Sequence, residues 1–253
     1  MQETNLTKKP GKIIVLEGVD GSGKSTQARN LYHNFSKKLS TTLSLSNQQR
    51  VYLFHFPSNE NSGQLFTDYI RDLPKDTFDG YQATWILLND MMYQMYTTIL
   101  PLYWSGAIII LDRYYTSSMY CQIHRFLSEK DKIIPDQITS LSFDQIEYLD
   151  WIEDMADRVL RLPRPDLVIY LNAQLSTVIS NLHYTDKVKD GYENSHEFLH
   201  NCVIYGDHIA TMKKWKKIQC DFPMMSELRS EESICEEICD IVEAFLLYGK
   251  VEN

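Results

Sequence analysis

Two apolar runs dominate the pattern of the chain: Ile13-Ile14-Val15-Leu16, and Ala107 through Leu111. Neither alternates with polar residues, which is the pattern of strands covered on both faces. With less continuous runs they predict strands at Lys12–Leu16, Val51–Phe56, Ala107–Leu111, Leu167–Leu171 and Lys216–Cys220. Between the strands the period changes. Ala28, Leu31, Tyr32, Phe35 and Leu39 recur at helical spacing, as do Ile234, Ile238, Val242, Phe245 and Leu246 near the end. Ser230 is placed to cap that last helix, Glu231 and Glu232 suit its positive N-terminus, and Gly249 suits its end. Strands alternating with helices predict an α/β fold: three layers, with a five-stranded, mostly parallel sheet flanked by helices and joined by right-handed crossovers. The expected division is a polar N-terminal extension over 1–11 and a single domain over 12–248. Ser40–Gln49 reads as a polar connection. The charged, mixed stretch from 125 to 164 reads as an enlarged helical segment on the surface.

Composition narrows the class. The chain has 253 residues, 43% hydrophobic and 23% charged, enough for one sizeable core. No apolar run approaches the roughly 18 residues of a membrane helix, and the polar start lacks the apolar stretch of a secretory leader. A net charge of −9 argues against a broad nucleic-acid surface, so an anionic ligand must be held by local geometry. The odd cysteine count, five, fits a reduced, cytoplasmic setting rather than a disulfide framework. Cys235 and Cys239, four apart on a predicted helix, read as small core residues.

One polar stretch breaks the pattern. "GVDGSGKS", Gly18 to Ser25, follows the first strand and opens the first helix, and it fits G-x-x-x-x-G-K-[ST]. Glycines there let successive backbone N–H groups converge on an anion, and the helix N-terminus adds its dipole. Gly18, Val19, Asp20, Gly21, Ser22, Gly23, Lys24, Ser25 and Thr26 are therefore the expected nucleoside triphosphate loop. Lys24 would reach the outer phosphates, and the Ser25 hydroxyl would bind Mg²⁺. A second signal ends the third strand: Asp112-Arg113, an acid and a base where α/β sheets bind ligands. Arg113 can clamp a phosphate, and Asp112 can hold the metal directly or through water.

Together these segments resemble thymidylate kinases. "LEGVDGSGKSTQ" looks like that family's opening signature, and "DRYYTSSMYCQ" is similar to its D-R-x-x-x-S-x-x-A-Y-Q segment. "HFP" at His55–Pro57, "LDW" at Leu149–Trp151, "LPRPDLVIYLNA" and "DGYEN" add support. The resemblance implies a P-loop kinase fold with a lid at about 181–197 and ATP as phosphoryl donor. It implies a nucleoside monophosphate acceptor, dTMP converted to dTDP for dTTP synthesis, and a homodimer. It places Asp20 at the acceptor's sugar 3′-hydroxyl, Phe56 and Pro57 at the rim of the acceptor pocket, and Arg113 on the acceptor phosphate. Ser117 and Gln122 would line that pocket, with Tyr192 beside the sugar. The catalytic set would be Lys24, Arg113 and Lys187.

The chain also departs from the family pattern. Ser58 and Asn59 follow Phe-Pro, where an arginine is common. The base-stacking and base-reading positions align with Ile86 and Asn89-Asp90. Tyr120-Cys121 replaces Ala-Tyr. The lid has Gly191 where arginine is common, leaving Lys187 and Lys189 as its cations. Two further readings therefore stay open: a kinase of another nucleotide or nucleoside, and a nucleotide-binding pseudokinase acting as an interaction partner.

Overall fold

The computed structural model describes residues 10–42, 50–72, 77–126, 138–184, 195–222 and 226–249. Lys187, Lys189, Gly191 and Tyr192 lie outside the described residues, as do residues 1–9, most of the expected N-terminal extension.

The elements run β1 (Lys12–Gly18), α1 (Lys24–Thr42), β2 (Val51–His55), α2 (Asn61–Asp72), α3 (Gly80–Gln94), α4 (Leu100–Trp104), β3 (Ile108–Asp112) and α5 (Thr116–Cys121). They continue with α6 (Phe143–Asp154), β4 (Leu167–Asn172), α7 (Leu175–Tyr184), α8 (His196–Met212), β5 (Lys216–Gln219), β6 (Asp221–Phe222), β7 (Glu227–Leu228) and α9 (Glu231–Tyr248). The first five-stranded sheet has the order β2-β3-β1-β4-β5, and all of its neighbours pair in parallel. β6 and β7 form a small antiparallel pair. The apolar runs are the middle of the large sheet: Ile13 to Leu16 on β1 and Ile108 to Leu111 on β3 are buried almost completely. α1 and α9 pack together on one face, while α5 and α8 pack together on the other, giving the three layers.

Local sequence sets the ends of the elements. Ser230 caps α9 by accepting a hydrogen bond from the Ser233 N–H at 3.2 Å, and Gly249 ends the helix in a left-handed conformation. α3, whose inner face reaches the site, begins at a capping box. The Asp79 carboxylate accepts from the Gln82 N–H at 2.7 Å, and the Gln82 side chain accepts from the Asp79 N–H at 3.0 Å.

Two expectations are corrected. The connection expected at 40–49 begins later, because α1 runs through Thr42. The 125–164 stretch is not surface elaboration alone. α6 buries Tyr148, Leu149 and Ile152, and the Tyr148 ring stacks on Phe126 with centroids 4.3 Å apart. Its acids, Asp144, Glu147, Asp150, Glu153 and Asp154, stay out of the core and gave the segment its charged look. Among the described residues, no helix is long and apolar enough to cross a membrane.

Candidate functional site

The phosphate loop leaves β1 and enters α1. Gly21 and Gly23 hold positive φ angles of 88° and 86°, which side-chain-bearing residues rarely adopt. Gly18 also has a positive φ, 150°, and it is required by contact as well: a Cβ there would meet Ser22 Oγ at 2.7 Å and the Leu171 carbonyl at 3.0 Å. The turn closes with the Ser22 N–H on the Val19 carbonyl, and helix α1 starts with the Gln27 N–H on the Gly23 carbonyl. Val19, Asp20, Gly21, Gly23, Lys24, Ser25 and Thr26 line a hollow of about 570 Å³, and Arg29, Asn181 and Leu182 complete it. Ser22 lies behind the loop, fully buried, and its hydroxyl has no hydrogen-bond partner among the described residues.

Lys24 is 5% exposed and its Nζ lies 2.9 Å from Asp112 Oδ1. β3 runs beside β1 in parallel, so the strand-end acid arrives next to the loop lysine. Burial pushes the Asp112 carboxyl up. The Lys24 charge, hydrogen bonds from Lys24 and Ser25, and the Arg113 charge outweigh this and hold it below the ordinary range. Ser25 and Asp112 thus meet as a hydroxyl and an ionised carboxylate. Hard oxygen donors of this kind suit Mg²⁺, so the residues fit the metal that the resemblance implies.

Arg113 turns the corner after β3. Its backbone is left-handed, with φ of 71°, while its N–H still bonds the Leu16 carbonyl at 3.1 Å. A non-glycine residue in that region is strained, and such strain gathers at functional sites. The turn aims the guanidinium at Asp20, with which it forms an ion pair. Burial pushes the Asp20 carboxyl up. The charges of Arg113 and Lys24 and the hydrogen bond from Arg113 reverse that and hold it low.

Beneath Arg113 lies an acid that motif reading missed. Glu17 is fully buried, and its carboxylate accepts hydrogen bonds from Thr116 Oγ1 at 2.5 Å, Ser117 Oγ at 2.6 Å, Tyr120 OH at 2.9 Å and the Tyr114 N–H at 3.2 Å. Burial raises its pKa, against the Arg113 charge and the side-chain hydrogen bonds. The Tyr120 hydroxyl also touches the Gly18 carbonyl at 3.1 Å, accepts from the Gly18 N–H at 3.2 Å and lies 3.5 Å from Arg113 Nη1. Tyr120 therefore ties the first loop glycine to the arginine. The signal was in the sequence: an acid inside an otherwise apolar strand must find donors.

A second hollow of about 900 Å³ opens beside Arg113. Val19, Asp20, Phe56, Pro57, Arg113, Ser117 and Gln122 line it, which brings the expected acceptor residues of the described chain together. Phe56 and Pro57 are joined by a cis peptide bond. The Ser117 hydroxyl is committed to Glu17, so Ser117 lines the cleft without a free donor. The buried Oε1 of Gln122 and Oγ of Ser118 have no hydrogen-bond partner among the described residues. Phe66, Leu87, Met91, Phe198 and Leu199 make the far wall apolar.

The alignment of the base-contacting positions does not match this wall. Leu87 and Met91 line it, one residue on from Ile86 and Asp90. The Asn89 amide donates back to the Trp85 carbonyl at 2.7 Å. Asp90 is buried and accepts from the Ser58 hydroxyl at 2.5 Å and the Ser58 N–H at 2.7 Å. Asn181, another residue sequence reasoning passed over, donates to the Gly21 carbonyl at 2.8 Å and pins the loop from α7.

The comparisons agree with this geometry. A family model, thymidylate kinase, matches residues 16–137. A thymidylate kinase of Schizosaccharomyces pombe is 25% identical over 233 residues, covering 92% of this chain and 91% of that protein. A probable thymidylate kinase of Thermococcus onnurineus is 29% identical over 249 residues, covering 93% of this chain and 98% of its own length. The solved thymidylate kinase of Candida albicans shares the fold, with a TM-score of 0.67 at 21% identity, covering 98% of this chain and 97% of that one. With its phosphate loop, strand-end Asp-Arg pair and five-stranded parallel sheet, the chain is similar to thymidylate kinases along most of its length.

Proposed function

We propose that the protein transfers the γ-phosphate of ATP to dTMP, giving dTDP and ADP. The observation that carries this reading is that Val19 and Asp20 line both hollows. A triphosphate on the loop and a monophosphate at Arg113 would thus meet across these two residues, as in-line transfer requires.

In this reading the loop N–H groups and Lys24 hold the ATP phosphates. Lys24 exchanges its Asp112 contact for the transferred group and neutralises the charge that builds there. Ser25 and Asp112 hold Mg²⁺, which supplies charge neutralisation on the phosphate oxygens. Arg113 grips the acceptor phosphate, shared with Asp20, whose other oxygen is available to the sugar 3′-hydroxyl. Phe56 and Pro57 border the sugar and base, and Gln122 offers the hydrogen bond that orients the base. Lys187, in the lid over about 181–197, brings the remaining cation, and Tyr192 packs beside the sugar. The working unit is the single domain 12–248, acting as a homodimer in a reduced, cytoplasmic setting. The five free thiols suit that setting.

The test is an acceptor panel with Mg·ATP and dTMP, dUMP, UMP, CMP, dGMP or thymidine, read as ADP and diphosphate formed. The expected result is fastest turnover with dTMP. Faster turnover of another acceptor would reassign the substrate. ATP binding without turnover of any acceptor would leave a nucleotide-binding interaction protein.

A further inference from the structure

Three parts of the acceptor cleft meet on a carboxylate that stands behind them. Phe56 and Pro57 form the rim after β2, Phe66 comes from α2, and Leu87 and Met91 come from α3. Asp90 precedes Met91 on α3, is fully buried and is not part of the lining. Both of its oxygens go to the residue that follows the rim. Oδ2 accepts from the Ser58 N–H at 2.7 Å, and Oδ1 accepts from the Ser58 hydroxyl at 2.5 Å. α2 joins them through Gly63, where a Cβ would collide with the Ser58 carbonyl and come within 2.7 Å of Asp90 Oδ2. At the other end of the rim, the Phe56 N–H bonds the Asp112 carbonyl on β3 at 3.0 Å. The rim is therefore pinned twice, to β3 at Phe56 and to α3 at Ser58. Burial pushes the Asp90 carboxyl up, and the bonds from Ser58 work against that. An apolar residue would fill the space without such a cost. What it would lack is two directed bonds to one neighbour, which fix a distance and an angle that apolar packing leaves free.

We propose that Asp90 is a positioning residue for the acceptor: by binding Ser58 with both oxygens it holds the Phe56–Pro57 rim at a fixed distance from the α3 wall, and so sets the width of the cleft that receives the base. Asp90 acts only through its neighbours. Leu87 and Met91 face the cleft from its own helix, and Phe56 and Pro57 face it from across the joint. Arg113 and Asp20 are held by other contacts, the Leu16 carbonyl and their own ion pair. Loosening the joint therefore leaves the phosphate end of the cleft in place. It lets the rim draw back from α3, so that the thymine-sized end fits its base less closely and admits a larger one. The effect falls on acceptor affinity and selectivity, not on ATP or on the chemical step.

The proposal rests on the reading of this cleft as the acceptor site, and the experiment separates the two. Three variants of the full chain are compared with the parent. Asp90→Leu keeps a side chain of similar volume and removes both bonds. Asp90→Asn can keep both, its carbonyl accepting from the Ser58 N–H and its amide donating to the Ser58 oxygen. Ser58→Ala removes the hydroxyl bond alone. Circular dichroism checks folding, calorimetry reads dTMP binding, and steady-state rates give kcat and KM for dTMP, dGMP and ATP. In Asp90→Leu, dTMP affinity should fall by about tenfold. Its preference for dTMP over dGMP should shrink, while the KM for ATP and the kcat at saturating dTMP hold. Ser58→Ala should shift the same quantities less, and Asp90→Asn should restore most of the affinity that Asp90→Leu loses. A folded Asp90→Leu that binds dTMP like the parent, or that loses dTMP and ATP affinity alike, overturns the proposal and leaves Asp90 a purely structural acid. Should Asp90→Leu not fold, Ser58→Ala is judged by the same two criteria. A parent that does not bind dTMP overturns the acceptor reading of the cleft, and the proposal with it. A parent that binds dTMP beside variants that bind it equally well overturns the proposal alone.

Discussion

The proposed donor hollow and the proposed acceptor cleft share Val19 and Asp20, yet they are built differently. The donor side is one contiguous stretch, Gly18 to Thr26, and most of its work falls to backbone N–H groups whose direction the glycines set. Its one long side chain, Lys24, is aligned by the neighbouring strand through Asp112. The acceptor side takes residues from the loop after β1, the turns after β2 and β3, α2, α3, α5 and α8. There the polar residues of the family pattern have been rearranged. Ser58 and Asp90 satisfy each other, Asn89 folds back on its own helix, and Tyr120 has moved into the support beneath Arg113. Phosphate needs only donors and charge, so a backbone motif serves it whatever else varies. A base needs particular side chains at particular depths, and those can change without disturbing the fold.

The sharpest break of this comparison is at the donor. Lys24→Met removes the charge on the transferred group, and phosphoryl transfer should fall by about 10²-fold or more in a folded protein. Circular dichroism with steady-state rates checks both halves of that statement; near-normal turnover would end the kinase reading. Next comes the cation between the two hollows. Arg113→Ala should lower turnover by about 10²-fold, whereas Arg164→Ala should change it little. Arg164 is exposed and bound to Asp157 between two prolines, away from the cleft lining. Equal losses in both variants would mean that the acceptor phosphate binds elsewhere.

A smaller loss is expected within the acceptor cleft. Gln122 is buried, and its Oε1 has no hydrogen-bond partner among the described residues, so a base that donates to it gains a hydrogen bond. Gln122→Leu should cost about 1–3 kcal/mol of that recognition, or roughly ten- to a hundredfold in kcat/KM for dTMP. The KM for ATP should hold. A matching loss for ATP would show that the change spread into the loop. Unchanged discrimination between dTMP and CMP would mean that the apolar wall alone reads the base.

The same contrast governs what the sequence could tell. The strands and the loop were legible because their signals are contiguous: unbroken β-branched runs, then glycines and a lysine at fixed spacing. The strand-end pair Asp112-Arg113 was legible for the same reason. The acceptor wall was not, because a helix rotates by about 100° per residue. A one-residue offset therefore exchanges Ile86 for Leu87 and Asp90 for Met91. α6 was misread because its acids outnumber its three buried apolar residues along the chain, although only the latter face the core. Glu17 was overlooked because its partners, Thr116, Ser117 and Tyr120, arrive from a segment about a hundred residues away. Lone polar residues in strands declare that a network exists; they do not say where its other half lies.

The smallest expected effect tests whether the two sides are mechanically joined. The Tyr120 hydroxyl contacts Glu17, both backbone groups of Gly18 and Arg113, so it spans the boundary between loop and cleft. Tyr120→Phe keeps the ring and removes only that oxygen. The Gly18 N–H then loses its acceptor, and stability should fall by about 1–3 kcal/mol, the cost of a buried donor left unpaired. A merely structural tyrosine would show the same loss. Tyr148 supplies the control: its hydroxyl is buried and bonded to Thr84 at 2.5 Å, away from the loop. Tyr148→Phe should lower stability with kcat unchanged. Tyr120→Phe should also lower kcat a few-fold, with the KM for ATP held, because Arg113 and Gly18 would no longer share one anchor. Denaturant melts and steady-state rates on both variants decide it. If the two tyrosines differ only in stability and not in kcat, the hollows are neighbours that share Val19 and Asp20 without a mechanical link through Tyr120.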